Sequence, residues 1–339
     1  MSIMDKLKKN SKIKETAILA ESQFFLEKDK ISTPVPMMNV ALSGSVDGGL
    51  TPGLTVLAGA SKHFKTSFAL IMAASYLDQY KDAILLFYDS EFGSPQEYFK
   101  TFNIDTNRVL HTPVMNIEQL KFDLISQLEN IDKKDKVIII IDSIGNIASK
   151  KELEDAMNEK SVADMSRAKQ LKSLFRMTTP YLTMKDIPCI AVNHTYKEQG
   201  LFPKDIVSGG TGVYYSADNI WIIGRQQDKQ GTEIKGYHFV INIEKSRYVK
   251  EKSKIPISVS WEGGVQYYSG LLDVALSTGH VQKPSNGWYC RVDTNTGEMV
   301  EPKVREKDTL EKEFWDPIFE ETDFKSAINK KFSIVVSDD

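Results

Sequence analysis

Cysteine is scarce in this chain. The 339 residues include two, Cys189 and Cys290, and neither has Cys or His neighbours at ligand spacing. That excludes a disulfide framework and a structural zinc, so both read as ordinary thiols. Long apolar runs are missing too: none reaches the eighteen or so residues that a membrane span needs. The polar, lysine-rich stretch from Met1 to Lys14 has no apolar segment behind it, so it does not read as a secretory signal. The expected compartment is the cytoplasm, with no membrane partner. An excess of positive charge is also lacking, since 43 Lys and Arg against 46 Asp and Glu leave a net charge of −3. A nucleic-acid role could therefore rest only on locally concentrated cations. No internal repeat or low-complexity segment is evident. What remains, 41% hydrophobic and 26% charged residues, suits one large core with small accessory domains.

Apolar residues Ile13, Ala17, Ala20 and Phe24 recur at three and four, which predicts a short amphipathic helix over about Lys12 to Phe25. Its apolar face could pack on its own domain or on the next subunit of an assembly. From about Pro34, short apolar runs alternate with helical stretches: Leu54 to Ala58, Ile84 to Tyr88 and Val137 to Ile141. Runs without polar alternation read as strands buried on both faces, as in a mostly parallel sheet wrapped by helices. Two more strands are expected at Pro188 to Asn193 and Asp218 to Ile223. After about Gly270 come short helices and the turn signals Asn286-Gly287 and Thr296-Gly297. The expected organisation is thus an α/β core over residues 34–268, an N-terminal helical extension over 1–33 and a small C-terminal domain over 269–339.

Directly after the Leu54 run comes Gly59-Ala60-Ser61-Lys62-His63-Phe64-Lys65-Thr66, then a helical run from Ser67 to Tyr80. A phosphate loop needs backbone N–H groups curled around phosphates at a helix N-terminus, a lysine for the terminal phosphates and a hydroxyl on magnesium. Lys65 and Thr66 fill the last two roles, which implies ATP and Mg2+. Phe64 stands where the usual pattern has glycine, so its ring must point away from the phosphates. The Val137 run ends in Asp142-Ser143, an acidic residue at the edge where α/β sheets present ligands. Asp142 could hold magnesium through water, or cap the next helix. Tyr88-Asp89-Ser90-Glu91 ends another strand at the same edge and adds two carboxylates, one of them a candidate base.

In order along the chain, the phosphate loop, Glu91, Asp142, Asn193-His194 and a Gly-rich loop resemble the RecA-type recombinases. Pro36 to Gly44, Tyr88 to Gly93, Asn193-His194-Thr195-Tyr196 and Glu244-Lys245-Ser246-Arg247 are similar to the strand-exchange recombinases of tailed phages. The resemblance spans nearly the whole chain, and those phage proteins also lack the second glycine. It implies a RecA-like ATPase core in which Glu91 orients the attacking water, Tyr98 stacks on adenine, and Asn193 or His194 senses the γ-phosphate. Lys245 and Arg247 are implied to reach across a subunit boundary to the neighbour's ATP, so that hydrolysis is coupled to filament assembly. The activity implied is DNA-dependent ATP hydrolysis with homologous pairing and strand exchange, in recombination, repair and recombination-dependent replication. Implied partners are single-stranded DNA, homologous duplex DNA, further copies of the chain, a recombination mediator and a single-strand-binding protein. A ring-shaped helicase uses a similar core but normally carries a sizeable N-terminal domain. A non-catalytic scaffold or mediator is the other alternative, kept open by Phe64.

Lys169, Lys172 and Arg176 fall at i, i+3 and i+7, opposite Leu171, Leu174, Phe175 and Thr178. On a helix this makes a basic stripe facing away from an apolar one, either a DNA-facing surface or a solvated face. The resemblance implies two DNA-binding loops, at about residues 146–164 and 195–212, with phosphate contacts from the stripe. The second loop carries Tyr196, Lys197, Phe202, Lys204, Gly209 and Gly210, a mixture suited to sequence-independent gripping of a strand.

Overall fold

The computed structural model describes residues 2–22, 28–158, 166–198, 200, 203–230 and 232–334. Four strands form where buried apolar runs require them, β1 (Gly53–Ala58), β2 (Ile84–Asp89), β4 (Val137–Asp142) and β5 (Pro188–Asn193), and the more exposed β3 (Val109–Pro113) pairs with β2. A small hairpin, β6 (Thr195–Lys197) with β7 (Asp205–Val207), precedes the longer strands β8 (Asn219–Gln230), β9 (Glu233–Lys245), β10 (Lys254–Ser260) and the short β11 (Gly264–Val265). One nine-stranded sheet runs β11-β10-β9-β8-β1-β5-β4-β2-β3. From β3 to β8 the strands are parallel, and β9, β10 and β11 add an antiparallel flank. This is the expected mostly parallel α/β core.

The helices are α1 (Ile3–Asn10), α2 (Pro36–Ser43), α3 (Lys65–Gln79), α4 (Gln96–Thr101), α5 (Ile117–Asn130), α6 (Lys150–Met157), α7 (Ser166–Met184) and α8 (Thr211–Ser216). Alternate residues of each central strand feed two cores. Leu57, Ile138 and Ile140 pack with α2 and α3, whereas Val56, Ile139 and Ile141 pack with α5 and α7. Strands buried on both faces are why the sequence shows unbroken apolar runs there.

Beyond the sheet lie α9 (Leu271–Thr278), a three-stranded sheet of β12 (Val281–Ser285), β13 (Trp288–Val292) and β14 (Met299–Arg305), then α10 (Lys312–Glu321) and α11 (Phe324–Phe332). Trp315, Phe324 and Phe332 join the same apolar cluster as Met37, Leu42 and Phe68 of the sheet-bearing part. The end of α11 is also tied to the segment after β9, through Lys250 N–H to Phe332 O and Ile334 N–H to Tyr248 O, both 2.8 Å.

The N-terminal helix is not where the periodicity puts it. Helix α1 starts earlier, with Ser2 and Asp5 forming a reciprocal capping box, and stops at Ser11. The Ser11 hydroxyl then bonds the backbone of Ile13 and the hydroxyl of Thr16, a local turn that competes with continuing the helix. Ile13 is exposed, and Phe24 lies outside the described residues. Among the described residues no helix is long and apolar enough to cross a membrane.

Candidate functional site

Because β1, β2, β4 and β5 are parallel, the loops following them converge at one edge of the sheet. The first is the phosphate loop, Gly59 to Thr66, between β1 and α3. A Cβ on Gly59 would lie 2.9 Å from the carbonyl oxygen of Ile223, so only glycine fits that exit. His63 Nδ1 also bonds the Ile223 carbonyl, at 2.6 Å, and Lys62 O accepts from Arg225 at 3.2 Å. Ala60, Ser61 and Lys62 are exposed along the loop.

Phe64 is the N-cap of α3 with φ 62°, a left-handed conformation that glycine adopts at least cost. Its ring turns away from the loop to pack edge-on to Phe68 at 5.2 Å and stacked on Phe239 at 5.1 Å. Packing the half-buried ring against the core keeps it clear of the loop, while the backbone keeps a conformation that glycine would adopt at lower cost.

Lys65 is buried and donates to the loop's own carbonyls, Gly59 O at 3.1 Å and Ala60 O at 2.8 Å. Burial pulls its pKa below the usual lysine value, against the opposing pull of Glu91 and Asp142. Thr66 donates to Asp142 Oδ2 at 2.8 Å. Asp142 is buried, and its other oxygen, Oδ1, has no hydrogen-bond partner. Burial, with Glu91 and Asp89 nearby, pushes the Asp142 carboxyl up to about 6 despite the Thr66 bond. A hydroxyl beside an orphaned, crowded carboxylate oxygen fits a hard divalent cation, which would hold the acid ionised. Among the described residues no group of three His, Cys, Asp or Glu could hold a metal by itself. A magnesium ion here would thus rely on Thr66, Asp142, water and phosphate oxygens.

The two carboxylates after β2 have different tasks. Asp89 is buried and caps the turn, accepting the N–H groups of Glu91 at 3.0 Å and Phe92 at 2.7 Å, with His111 on its other oxygen at 3.2 Å. Glu91 is left partly exposed, facing Ser143, His194 and Asn146. His194 Nε2 donates to Glu91 Oε1 at 3.0 Å. Burial raises the Glu91 pKa, but hydrogen bonds from Ser143 and His194, with the charges of His194 and Lys65, outweigh it and leave the carboxyl below its usual range. Asn193 is turned the other way, donating to Ser208 O at 2.8 Å. Tyr98 donates to or accepts from the Ser67 hydroxyl on α3 and packs against Phe102 at 5.4 Å.

The candidate DNA residues gather on the α7 side of this edge. Lys169, Lys172 and Arg176 are exposed on α7, while Leu171, Leu174, Phe175 and Thr178 are buried beneath them. In the second loop Lys197 pairs with Asp205 at 2.9 Å across the β6–β7 hairpin, and Lys204 is exposed. Gly209 and Gly210 have φ of 96° and 74°, the positive angles that turn the chain into α8. Phe202 and residues 159–164 of the first loop lie outside the described residues.

Lys245 and Arg247 are elsewhere. The register sets Ala58 beside Ile222 and Lys245 beside Ile220, so β9 runs away from the phosphate loop. Lys245 donates to Tyr214 O at 2.8 Å, and Arg247 pairs with Asp218, whose other oxygen accepts Leu54 N–H at the start of β1. That end of β1 is roughly 16 Å from its loop end. Within one chain these cations do not reach the nucleotide loop.

Arg167 had no signal in the sequence. Its guanidinium donates to the carbonyls of Ile144, Gly145 and Ile147 and to the Ser208 hydroxyl, and main-chain acceptors have no sequence signature. Ser143 and Asn146 were also missed as partners of Glu91.

Residues 4–266 match the RecA N-terminal domain family, and residues 268–328 match the C-terminal domain of the bacteriophage T4 recombination and repair protein. The chain is 53% identical over 336 residues to the recombination and repair protein of Enterobacteria phage T4, covering 98% of this chain and 86% of that one. It is 24% identical over 305 residues to Protein RecA of Bacteroides thetaiotaomicron, covering 88% of each. Against Protein RecA of Aquifex aeolicus it is 24% identical over 281 residues, 81% of this chain. The chain therefore belongs to the RecA family, in its phage recombination and repair branch.

Proposed function

We propose that this chain is a DNA-dependent ATPase that assembles on single-stranded DNA as a filament and exchanges that strand with a homologous duplex. The observation that carries the reading is the division of the site. Lys65, Thr66, Asp142 and Glu91 meet at one sheet edge beside both loops, while Lys245 and Arg247 end at the other. Cations that cannot serve their own loop are suited to serve a neighbour's, which makes turnover depend on assembly. Exposed Ile3, Met4 and Leu7 on α1 support a second copy as the covering partner.

In this reading the loop from Gly59 to Ser67 wraps the phosphates with backbone N–H groups and Tyr98 stacks on the adenine. Lys65 leaves its two carbonyl partners for the terminal phosphate oxygens. Magnesium, held by Thr66 and Asp142, would supply charge neutralisation at those oxygens. Glu91, kept ionised by Ser143 and His194, accepts a proton of the attacking water and orients it in line. Placement and charge stabilisation carry most of such a barrier. From a neighbouring copy, Lys245 and Arg247 add positive charge, worth roughly 10³ to 10⁵ in rate for arginine fingers elsewhere. His194, bonded to Glu91 and directly preceding the second loop, is suited to sensing the γ-phosphate. Lys169, Lys172, Arg176, Lys197, Lys204, Phe202 and the Gly209-Gly210 turn would hold the strand, with affinity falling as salt rises. A recombination mediator and a single-strand-binding protein are the partners that such a filament would meet on DNA.

The test is ATP hydrolysis with and without single-stranded DNA at several protein concentrations, with electron microscopy of the same mixtures. Cooperative DNA stimulation together with helical filaments is the expected result. Discrete rings would point instead to a helicase, and filaments without turnover to a scaffold.

A further inference from the structure

We infer that Arg167 is a positioning residue through which the second loop sets the catalytic carboxylate Glu91; this rests on the reading of Glu91 given above. Arg167 is in the first turn of α7, and all three of its guanidinium nitrogens are spent inside the protein. Nε donates to Ile147 O at 3.0 Å, one terminal nitrogen to Ile144 O at 2.8 Å and to Gly145 O, and the other to Ser208 Oγ at 3.4 Å. A planar fork with fixed donors pins several acceptors at once, which an ammonium cannot do.

The pinned segment is the one that surrounds Glu91. Ser143 precedes it and donates to Glu91, and the Asn146 amide within it is 3.5 Å from the same oxygen. Gly145 lies so close to His194 that a Cβ there would be 2.3 Å from the imidazole Cδ2 and 2.9 Å from the backbone nitrogen. His194 in turn donates to Glu91 at 3.0 Å. On the other side, Ser208 N–H donates to His194 O at 3.0 Å, and Ser208 O accepts from Asn193 at 2.8 Å. Arg167 thus joins the segment after β4 to the second loop, and both end on the two groups that hold Glu91. It touches no reacting atom; it acts through Ser143 and His194.

This separates Arg167 from the exposed stripe that follows it along α7. Lys169, Lys172 and Arg176 face outward, whereas the Arg167 guanidinium is turned inward on four acceptors. A strand held on the stripe and the second loop would load the brace from both ends. Occupancy of the DNA surface would then fix the water-orienting carboxylate without a contact between them.

The experiment compares full-length Arg167→Lys and Arg167→Ala with the unaltered protein. It measures kcat and KM for ATP at saturating oligothymidine, and the Kd and salt slope for a fluorescein-labelled oligothymidine. With Arg167→Ala, kcat should fall roughly tenfold or more, since small misplacements of reacting groups have effects of that size. KM and Kd should stay within about threefold and the salt slope should not change. Arg167→Lys should fall nearly as far, because it keeps the charge and loses the fork. It decides alone if Arg167→Ala does not fold. Unchanged kcat in either variant overturns the inference, and so does full activity of Arg167→Lys. A weakened Kd with a salt slope reduced by about one would mark a phosphate contact and overturn it too. Normal turnover in Glu91→Ala would instead defeat the underlying reading of the site. An inactive Glu91→Ala beside fully active Arg167 variants would defeat the positioning role alone.

Discussion

Phe64 carries two opposite effects at one position, and the substitutions Phe64→Gly and Phe64→Ala separate them. Its backbone is held at φ 62°, while its ring packs on Phe68 and Phe239. Removing a fully buried phenylalanine side chain costs about 3–5 kcal/mol, and Phe64 is only partly buried, so roughly 2 kcal/mol is the fitting figure. Alanine keeps the left-handed strain, whereas glycine relieves roughly 1 kcal/mol of it. Phe64→Ala should therefore lose about 2 kcal/mol and Phe64→Gly about half of that. In thermal unfolding, at roughly 2 °C per kcal/mol for a chain of this size, the order of Tm should be unaltered protein, Phe64→Gly, Phe64→Ala. Affinity for a fluorescent ADP analogue should stay within about threefold in both, because the ring faces the core and the phosphates meet only backbone. A Tm for Phe64→Gly below that of Phe64→Ala would refute the strain argument. A tenfold or larger change in nucleotide affinity, taken as decisive on the scale of about 1.4 kcal/mol, would refute the ring's placement.

Lys65→Ala should abolish turnover, while Glu91→Ala should bind ATP and assemble on DNA yet hydrolyse it slower by about two orders of magnitude or more, measured by phosphate release. His194→Gln keeps a donor but removes a charge that holds the Glu91 pKa down, so that pKa should rise and the acid limb of kcat/KM should move to higher pH. A profile that does not move would disconnect His194 from Glu91. Lys172→Glu with Arg176→Glu should weaken oligothymidine binding and flatten its salt dependence; unchanged binding would move the DNA surface off α7.

The central strands were legible because burial on both faces leaves a mark: Val137 to Ile141 can be read as a strand without knowing its neighbours. Strand β3 escaped since it is the outermost strand, with Leu110 and His111 exposed and a proline at its end, so no apolar run announces it. Strand β10 escaped too, its alternation interrupted by Pro256. Around Ile13 the apolar spacing was real but local hydroxyl bonds prevailed, and α1 formed upstream where a capping box was available. Within the site, the convergence of Lys65 and Thr66, in the loop-to-helix step after β1, with Asp142 and Glu91, at or just past strand ends, was legible from their places in the chain. That Asp89 caps a turn and Glu91 is the freer carboxylate could not, because the difference is made by two backbone N–H groups. Arg167 was invisible for the same reason, as its partners are mostly carbonyls supplied by distant folding.

The apolar cluster that Trp315, Phe324 and Phe332 share with Met37 and Leu42 has a consequence for the order of synthesis. A ribosome adds roughly 5–20 residues per second, and domains ordinarily fold as units as they emerge. Here the sheet is complete in sequence at β11, yet the apolar cluster around α2 lacks Phe324 and Phe332 until residues 324–332 have been made. For several seconds the nascent chain would therefore expose apolar side chains around α2 on an otherwise finished sheet. Those seconds are when it would be most prone to capture by chaperones or to aggregation, and slower translation of the last segment should lower the soluble yield.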